Sequence, residues 1–224
     1  MDTNRTKSIE PASENTRQTL IREAIRLFGK KGFDGASTRE IADAAGTNVA
    51  SIAYHFGGKA GLHRACGETI ANLLINVSGQ TASQPNDLPE TREELIDRIS
   101  GILERMSGFL FLDQQSELVV PFVLREMSHP GEAFEAIYRG MMEPVHIRLC
   151  ALWGAVTGEN PESDDVKLTV FSMIGQLLYF RIGARAVARR LGRESLSEQD
   201  VTAIREVIKT NIAARLNHAA KGQS

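Results

Sequence analysis

A stretch of 26 residues constrains the fold of this chain more than any other. It runs over 37–62 and reads STREIADAAGTNVASIAYHFGGKAGL. Ser37, followed by Glu40 three positions later, matches a capping box, so we predict that a helix begins there. Gly46 predicts the end of that helix, because the left-handed position after a helix favours glycine. Spaced apolar residues predict a second short helix over 48–56.

The two short helices and the tight turn between them are typical of a helix-turn-helix, whose second helix enters the major groove of DNA. The outer face of the second helix carries short polar and aromatic side chains that can reach bases or phosphates. The residues predicted to read bases are Thr47, Asn48 and Tyr54, those predicted to hold phosphates are Thr38, His55 and Lys59, and Val49 and Ser51 complete the predicted contacts. The alternative is an ordinary surface helical hairpin, since such helix pairs are common.

This stretch and the helix before it resemble the DNA-binding domain of the TetR/AcrR family of bacterial repressors. The residues that carry the resemblance are Ala24, Phe28, Gly32, Phe33, Thr38, Ile41, Ala42, Ala45, Gly46, Ile52, His55, Phe56, Lys59 and Leu62. They cover about the first third of the chain. One position departs from the family, which usually has a tyrosine where this chain has Ala53. A backbone contact that the family makes from that tyrosine is therefore either absent here or made by Tyr54.

The charge is distributed unevenly. Residues 1–67 carry 10 Lys and Arg against 7 Asp and Glu, whereas the remainder carries 16 against 21. A basic N-terminal module on an acidic body fits DNA contact at one end of the molecule, although the difference is modest.

The remaining sequence predicts an all-α fold with no strand and no repeat. The predicted helices outside the helix-turn-helix cover 16–31, 59–77, 90–110, 116–127, 133–156 with an interruption near Pro144, 163–190 and 197–217, and 79–89 is predicted to be a loop. We expect three parts: a flexible arm over 1–15, the DNA-binding domain over 16–62, and a helical ligand-binding and dimerisation domain over 63–220.

The second half carries a further set of recognisable positions, which include Arg125, Glu126, Pro130, Ala133, Pro144, His146, Leu149, Thr157, Gly158, Gly175, Phe180, Arg181 and Gly183. At these positions it resembles the ligand-binding domain of the CecR-like (CerR-like) subgroup.

Aromatic and methionine residues on several of these helices suggest a ligand pocket between them, the usual location in helical bundles. The predicted pocket residues are Phe109, Phe122, Arg125, Phe134, Tyr138, Met141, His146, Trp153, Met173, Gln176 and Tyr179. The alternative is that most of them are ordinary core residues. Arg125 and Glu126 are equally consistent with a structural ion pair.

The last two long helices carry more apolar surface than one body needs to bury, which predicts a homodimer. The predicted interface residues are Leu177, Phe180, Ala184, Val187, Ile204, Ile208, Ile212 and Leu216. A dimer whose two DNA-binding domains lie roughly 34–36 Å apart, one helical turn of DNA, reads a palindrome.

The chain offers little for catalysis or for a cofactor. It has no phosphate-binding loop and no nucleophile elbow, so we expect neither an enzyme nor a bound cofactor. The five histidines show no metal-ligand spacing, and His63 with Cys66 is the nearest approach to one. Cys66 and Cys150 are too few for a disulfide framework, while a redox role for either thiol is left open.

These features predict a ligand-responsive one-component transcriptional repressor, bound to a palindromic operator and released by a small, largely apolar effector. With no signal peptide and no apolar run of about 18 residues, we expect it in the cytoplasm, at the nucleoid and not in a membrane. The alternative is a helical ligand-binding or scaffold protein that has lost specific DNA recognition, for which Ala53 is the only support.

Overall fold

The computed structural model describes residues 10–79 and 88–221, and over these ranges it is built of helices without a strand. The helices are α1 (Glu10–Gly35), α2 (Thr38–Ala44), α3 (Val49–Phe56), α4 (Lys59–Ser78), α5 (Arg92–Leu112), α6 (Ser116–Ser128), α7 (Glu132–Ile137), α8 (Glu143–Thr157), α9 (Asp164–Ile182), α10 (Ala184–Arg190) and α11 (Glu198–Lys221). The all-α prediction is confirmed. The predicted loop over 79–89 lies mostly outside the described residues.

Helix α1 is longer than the sequence predicts. It begins at Glu10 instead of near residue 16, while residues 1–9 lie outside the described part of the chain. Pro11 falls in the first turn, where a missing backbone N–H costs no intrahelical hydrogen bond. At the other end, Gly32 has φ 79° and interrupts the helical geometry, as predicted.

A π-helical turn, Tyr138–Met142, lies between α7 and α8 and ends two residues before Pro144. Proline has no N–H to donate to the carbonyl four residues earlier, so a regular α-helix cannot pass through this position unchanged. The predicted interruption near Pro144 is confirmed. Pro121 lies in the second turn of α6.

The helix predicted over 163–190 is two helices, α9 and α10. The break is at Gly183, which has φ −84° and ψ 9° and whose N–H bonds to the Tyr179 carbonyl at 2.7 Å. Glycine weakens a helix interior because it loses more backbone entropy than other residues. The periodicity of the apolar residues continues across Gly183, which is why the sequence predicts a single helix.

The described chain divides into two compact units. The first contains the chain up to Leu73 together with Glu117–Gly140, and the second contains Leu74–Ser116 together with the chain from Met141. The first unit buries Leu20, Ala24, Phe28, Ile41, Ile52, Leu62 and Phe122, and the second buries Ile99, Ile102, Val145, Leu149, Leu152, Trp153 and Val170. The domain boundaries expected from sequence remain predictions.

Over the described ranges, no helix is both long enough and apolar enough to span a membrane.

Candidate functional site

The helix-turn-helix is present where the sequence predicts it. The Ser37 hydroxyl accepts the Glu40 N–H at 3.1 Å and caps α2. The Glu40 carboxylate accepts a hydrogen bond from Lys31 Nζ at 2.5 Å, and this bond holds the pKa of the Glu40 carboxyl below its ordinary value. Gly46, with φ 65°, makes the turn to α3. Ile52 is buried between the helices and orients α3.

The start of α3 is fixed by a network of three residues predicted to contact DNA. Asn48 Oδ1 accepts hydrogen bonds from the Ser51 N–H at 2.9 Å and from the Ser51 hydroxyl at 3.2 Å. The Thr47 and Ser51 hydroxyl oxygens are 2.9 Å apart, within hydrogen-bond distance. Because Oδ1 caps the helix, the Nδ2 donor is the part of the Asn48 amide that is left for a base.

The outer face of α3 is open to solvent. Tyr54 is 82% exposed and Val49 is 43% exposed, and Ala53 lies exposed beside Tyr54. The His55 ring packs edge-on against Tyr54 with 4.9 Å between centroids. An aromatic ring this exposed on a short helix contributes little to the core, so its free surface is available for a partner.

Lys59 lies at the first position of α4 with its ammonium 4.6 Å from the centroid of the Phe33 ring. This cation–π contact limits where the ammonium can lie, close to the α3 C-terminus. The sequence indicates Phe33 only as a packing residue, since no local pattern signals its pairing with Lys59. A second contact of this kind, Arg17 over Phe56 at 5.5 Å, was not predicted at all. Thr38, the first residue of α2, is half-buried.

Arg125 and Glu126 do not pair with each other, so the ion-pair alternative is wrong. Successive residues on a helix point roughly 100° apart. The Arg125 guanidinium instead donates to the Gly29 carbonyl at 3.4 Å and the Lys30 carbonyl at 3.3 Å, two of the last carbonyls of α1 before Gly32. Glu126 Oε1 lies 2.9 Å from Nε2 of His63, on α4.

The residues predicted for the ligand pocket are divided between the two units. Phe122, Arg125, Phe134 and Tyr138 belong to the first unit, and Phe109, Met141, His146, Trp153, Met173, Gln176 and Tyr179 belong to the second. Phe122 and Trp153 are each 1% exposed and pack as core residues. His146 stacks on Phe171 with 3.9 Å between centroids, and Gln176 accepts a hydrogen bond from Asn211 at 3.0 Å. An effector contact by any of these residues remains a prediction.

The second unit contains a cavity of about 270 Å³ between α5, α9 and α11. Its apolar lining includes Leu103, Leu177, Ile208, Ile212 and Leu216, and its polar lining includes Ser100, Glu104, Arg205 and Lys209. None of the eleven predicted pocket residues lines this cavity. Sequence periodicity places residues on a helix face, but it does not determine which faces meet.

Four of the residues predicted for the dimer interface line this cavity of the second unit instead. These four are Leu177, Ile208, Ile212 and Leu216, and they are buried within the chain, as is Ile204. A side chain that is already buried has little area left to bury against a partner. The other predicted interface residues, Phe180, Ala184 and Val187, are half-buried. An interface through these eight residues remains a prediction.

Both thiols lie in surroundings that disfavour the thiolate. Burial raises the pKa of the Cys66 thiol, which lies 3.7 Å from the Ile21 carbonyl. Burial, with Glu162 nearby, raises the pKa of the Cys150 thiol to about 11. Both are thus protonated and weakly nucleophilic near neutral pH. Within 10–79 and 88–221, no group of three or more His, Cys, Asp or Glu residues is placed to hold a metal ion.

Two known protein families match the chain, one in its N-terminal part and one in its C-terminal part. Residues 20–66 match the family described as "Bacterial regulatory proteins, tetR family". Residues 95–218 match the family described as "HTH-type transcriptional dual regulator CecR, C-terminal domain".

Known proteins resemble the chain along much of its length. The HTH-type transcriptional dual regulator CecR of Shigella flexneri is 29% identical over 204 residues, which are 89% of this chain and 90% of that one. The HTH-type transcriptional repressor AcnR of Corynebacterium glutamicum is 37% identical over 104 residues, 46% of this chain and 49% of that one. The structure of AibR in complex with isovaleryl coenzyme A and operator DNA superimposes with a TM-score of 0.63 at 16% identity, over 87% of this chain and 96% of that one, and so shares the fold. The chain therefore belongs to the TetR family of bacterial regulatory proteins and carries a C-terminal domain of the CecR type.

Proposed function

We propose that this regulator is a one-component repressor that binds a palindromic operator as a homodimer and releases it when a small, largely apolar effector binds. The observation that carries the proposal is the outer face of α3, where Tyr54 is 82% exposed on a helix whose inner face is buried through Ile52. The relative named as a repressor supports repression as the default action. Such a protein acts in the cytoplasm, on the chromosome.

The roles of the DNA contacts follow from the position of each side chain. Tyr54 and the Nδ2 donor of Asn48 lie on α3 and at its N-cap, so we assign them to the bases together with Thr47. Lys59 follows the C-terminus of α3 and carries a positive charge, so we assign it to a phosphate, together with His55 and the hydroxyl of Thr38. Ala53 leaves room beside Tyr54 and removes nothing from the core.

For the dimer, we propose the outer faces of α9 and α11. Leu168, Phe171, Tyr179 and Ile182 are 66%, 56%, 63% and 58% exposed. Their spacing places them within roughly 80° of one another around α9, whereas Leu177 points to nearly the opposite side. The outer face of α11 carries a second stripe, made of Ala203, Val207, Thr210 and Ala214. An apolar stripe of this length on an otherwise polar surface is typical of an interface.

For the effector, we propose the cavity between α5, α9 and α11. Its volume of about 270 Å³ suits a small molecule, and its apolar side chains favour an apolar body. Glu104, Arg205 and Lys209 are polar groups that can orient one end of the molecule.

Release of DNA follows if the effector and the operator favour different arrangements of the dimer. Helix α4 is continuous and contains residues of both units, so we propose that it transmits the effect of effector binding to the DNA-binding unit. Linkage makes the effect reciprocal, and a coupling of about 1–3 kcal/mol weakens operator binding roughly 5–150-fold.

Binding of the purified full-length protein to the DNA upstream of its own gene tests the proposal. Candidate effectors are first selected by thermal shift, since a molecule that binds only the folded state raises the melting temperature. Operator affinity is then measured with and without saturating effector at fixed salt.

Ala213→Trp fills the cavity from an exposed position, and we expect it to abolish the response to the effector while leaving unliganded DNA binding intact. Gln199→Trp, on an exposed position of α11 outside the cavity, is the control. Unchanged affinity with an effector bound in the cavity contradicts induction by that effector.

A further inference from the structure

The first unit contains a buried carboxylate that is only half satisfied. Glu126 is 4% exposed, and its Oε1 lies 2.9 Å from His63 Nε2. Its other oxygen, Oε2, is buried and accepts no hydrogen bond from any residue in the described part of the chain. A buried acceptor without a donor is costly, and more so when it is charged. A hydrogen-bond donor placed beside Glu126 Oε2 would therefore be stabilising.

The same carboxylate lines a cavity of about 480 Å³. Three segments of the first unit surround the cavity: 31–34 at the end of α1, Ala60 and His63 on α4, and a third segment made of 125–126 on α6, the loop 129–131 and the first residue of α7. Gly131 in that loop has no side chain to fill the space. A Cβ atom at this position would lie 3.7 Å from Glu126 Oε2 and 3.8 Å from His63 Cε1.

The charges around the cavity favour a cation. Three carboxylates line it, those of Asp34, Glu126 and Glu132. Of the Lys and Arg side chains in the lining, Lys31 is paired with Glu40 at 2.5 Å, whereas Arg125 donates to neutral backbone carbonyls of α1 and keeps its charge. The three carboxylates outnumber this one guanidinium, and His63 and His129 complete the basic lining. The ring of Phe33 also lines the cavity, but the Lys59 ammonium already lies 4.6 Å from its centroid, so this ring does not add to the attraction for a cation.

We propose that this cavity binds a small organic cation with a primary ammonium group, which donates a hydrogen bond to Glu126 Oε2. An ammonium supplies both the missing donor and the opposite charge, and charge-assisted hydrogen bonds are the strong ones. A metal ion fits less well, because the described residues contain no group of three potential ligands arranged around one point. The site goes beyond the proposed function: it lies in the unit that contains α3 and is separate from the effector cavity of the second unit.

Isothermal titration of the full-length protein with 1,4-diaminobutane at fixed ionic strength tests this site. We expect saturable binding of one molecule per chain. Glu126→Gln removes the charge, and Gly131→Ala places a methyl group beside Oε2 at a position whose φ of −137° suits alanine. Each should weaken binding by roughly tenfold, about the effect of one charge-assisted hydrogen bond. The quaternary analogue, with all six N–H groups replaced by methyl groups, has the same charge without the donors and should bind more weakly than the diamine.

Two matched variants serve as controls. Glu117→Gln removes an exposed carboxylate from the same helix, and Gly108→Ala adds a methyl group where no atom lies within 4 Å. Both should bind the diamine as the native chain does. The absence of saturable binding refutes the site, and so does equal affinity for the diamine and its quaternary analogue. Unchanged diamine affinity in Gly131→Ala also refutes it, and this variant remains a test even if Glu126→Gln does not fold. None of these outcomes bears on repression, which is measured separately at the operator.

Discussion

Asn48 Oδ1 accepts the backbone N–H of Ser51 at 2.9 Å, so the residue predicted to read a base also caps the helix that carries the reading surface. An N-cap satisfies one of the backbone donors that a helix start leaves unpaired. The two roles use different atoms, because the carbonyl oxygen of the amide caps α3 and its nitrogen is the donor for DNA. Substitutions at Asn48 can therefore separate helix stability from recognition.

Asn48→Asp should keep the cap and lose recognition, because aspartate caps as well as asparagine but offers no N–H and adds a negative charge facing DNA. Asn48→Ala should instead lower the free energy of unfolding by about 1 kcal/mol and also relax base preference. Thermal unfolding and operator titration on the same samples distinguish the two. Equal operator affinity for Asn48→Asp and the native protein contradicts the assignment.

Lys59→Ala should weaken binding to all DNA sequences about equally and reduce the slope of affinity against salt by about one phosphate contact per chain. Phe33→Leu removes the ring beneath the ammonium but keeps the charge, so its effect should be smaller. Arg92→Ala also removes one positive charge, at an exposed position of the second unit outside the effector cavity, and serves as the control. A salt dependence unchanged by Lys59→Ala excludes a phosphate contact there.

Local signals in the sequence were sufficient for the helix-turn-helix. The cap at Ser37, the turn at Gly46 and the start of α4 at Lys59 all depend on residues a few positions apart, and all lie where predicted. The break at Gly183 was missed because apolar periodicity carries across it. The early start of α1 was missed because Pro11 suggests a helix boundary but is also compatible with a first turn.

Contacts between residues far apart in sequence were not predictable in this way. The hydrogen bonds of Arg125 to carbonyls of α1 join residues 95 and 96 positions apart, and that of His63 to Glu126 joins residues 63 apart. Ile204, Ile208 and Ile212 of α11, predicted to form a dimer interface, are buried within the chain, whereas Val207 is 52% exposed. Hydrophobicity alone does not distinguish an interface from a core.

Phe171→Glu and Tyr179→Glu should each convert the protein to a monomer, because a charge in the middle of the proposed α9 interface has to be desolvated without a partner. Both side chains are more than half exposed in the chain, so neither variant should unfold it. Leu112→Glu, an exposed leucine at the end of α5, is the control. Sedimentation at micromolar concentration reports the result, and a dimer that persists in both variants excludes this face.

Arg125→Ala should reduce the free energy of unfolding by about 1.5 kcal/mol, the low end for hydrogen bonds to charged groups, since both distances are long. Arg125→Lys should recover only part of it, because a lysine cannot reach two carbonyls with a planar fork. Gly32→Ala, at φ 79° and with its new Cβ 2.8 Å from Arg125 Nη1, should cost about 1–2 kcal/mol. Arg22→Ala, exposed on α1, is the matched change. If denaturant unfolding gives Arg125→Ala and Arg22→Ala the same free energy of unfolding, the hydrogen bonds from Arg125 to the α1 carbonyls do not stabilise the protein.

Selection from a pool of random duplex DNA by the purified full-length protein tests the central claim most directly, because the protein selects its own operator sequence from the pool. If α3 reads bases and the protein acts as a dimer, the enriched sequences contain an inverted repeat with half-sites about one helical turn apart, or a multiple of it. Asn48→Asp run in parallel should lose the enrichment. A native protein that enriches no sequence over the starting pool contradicts the account and favours a ligand-binding protein without specific DNA recognition.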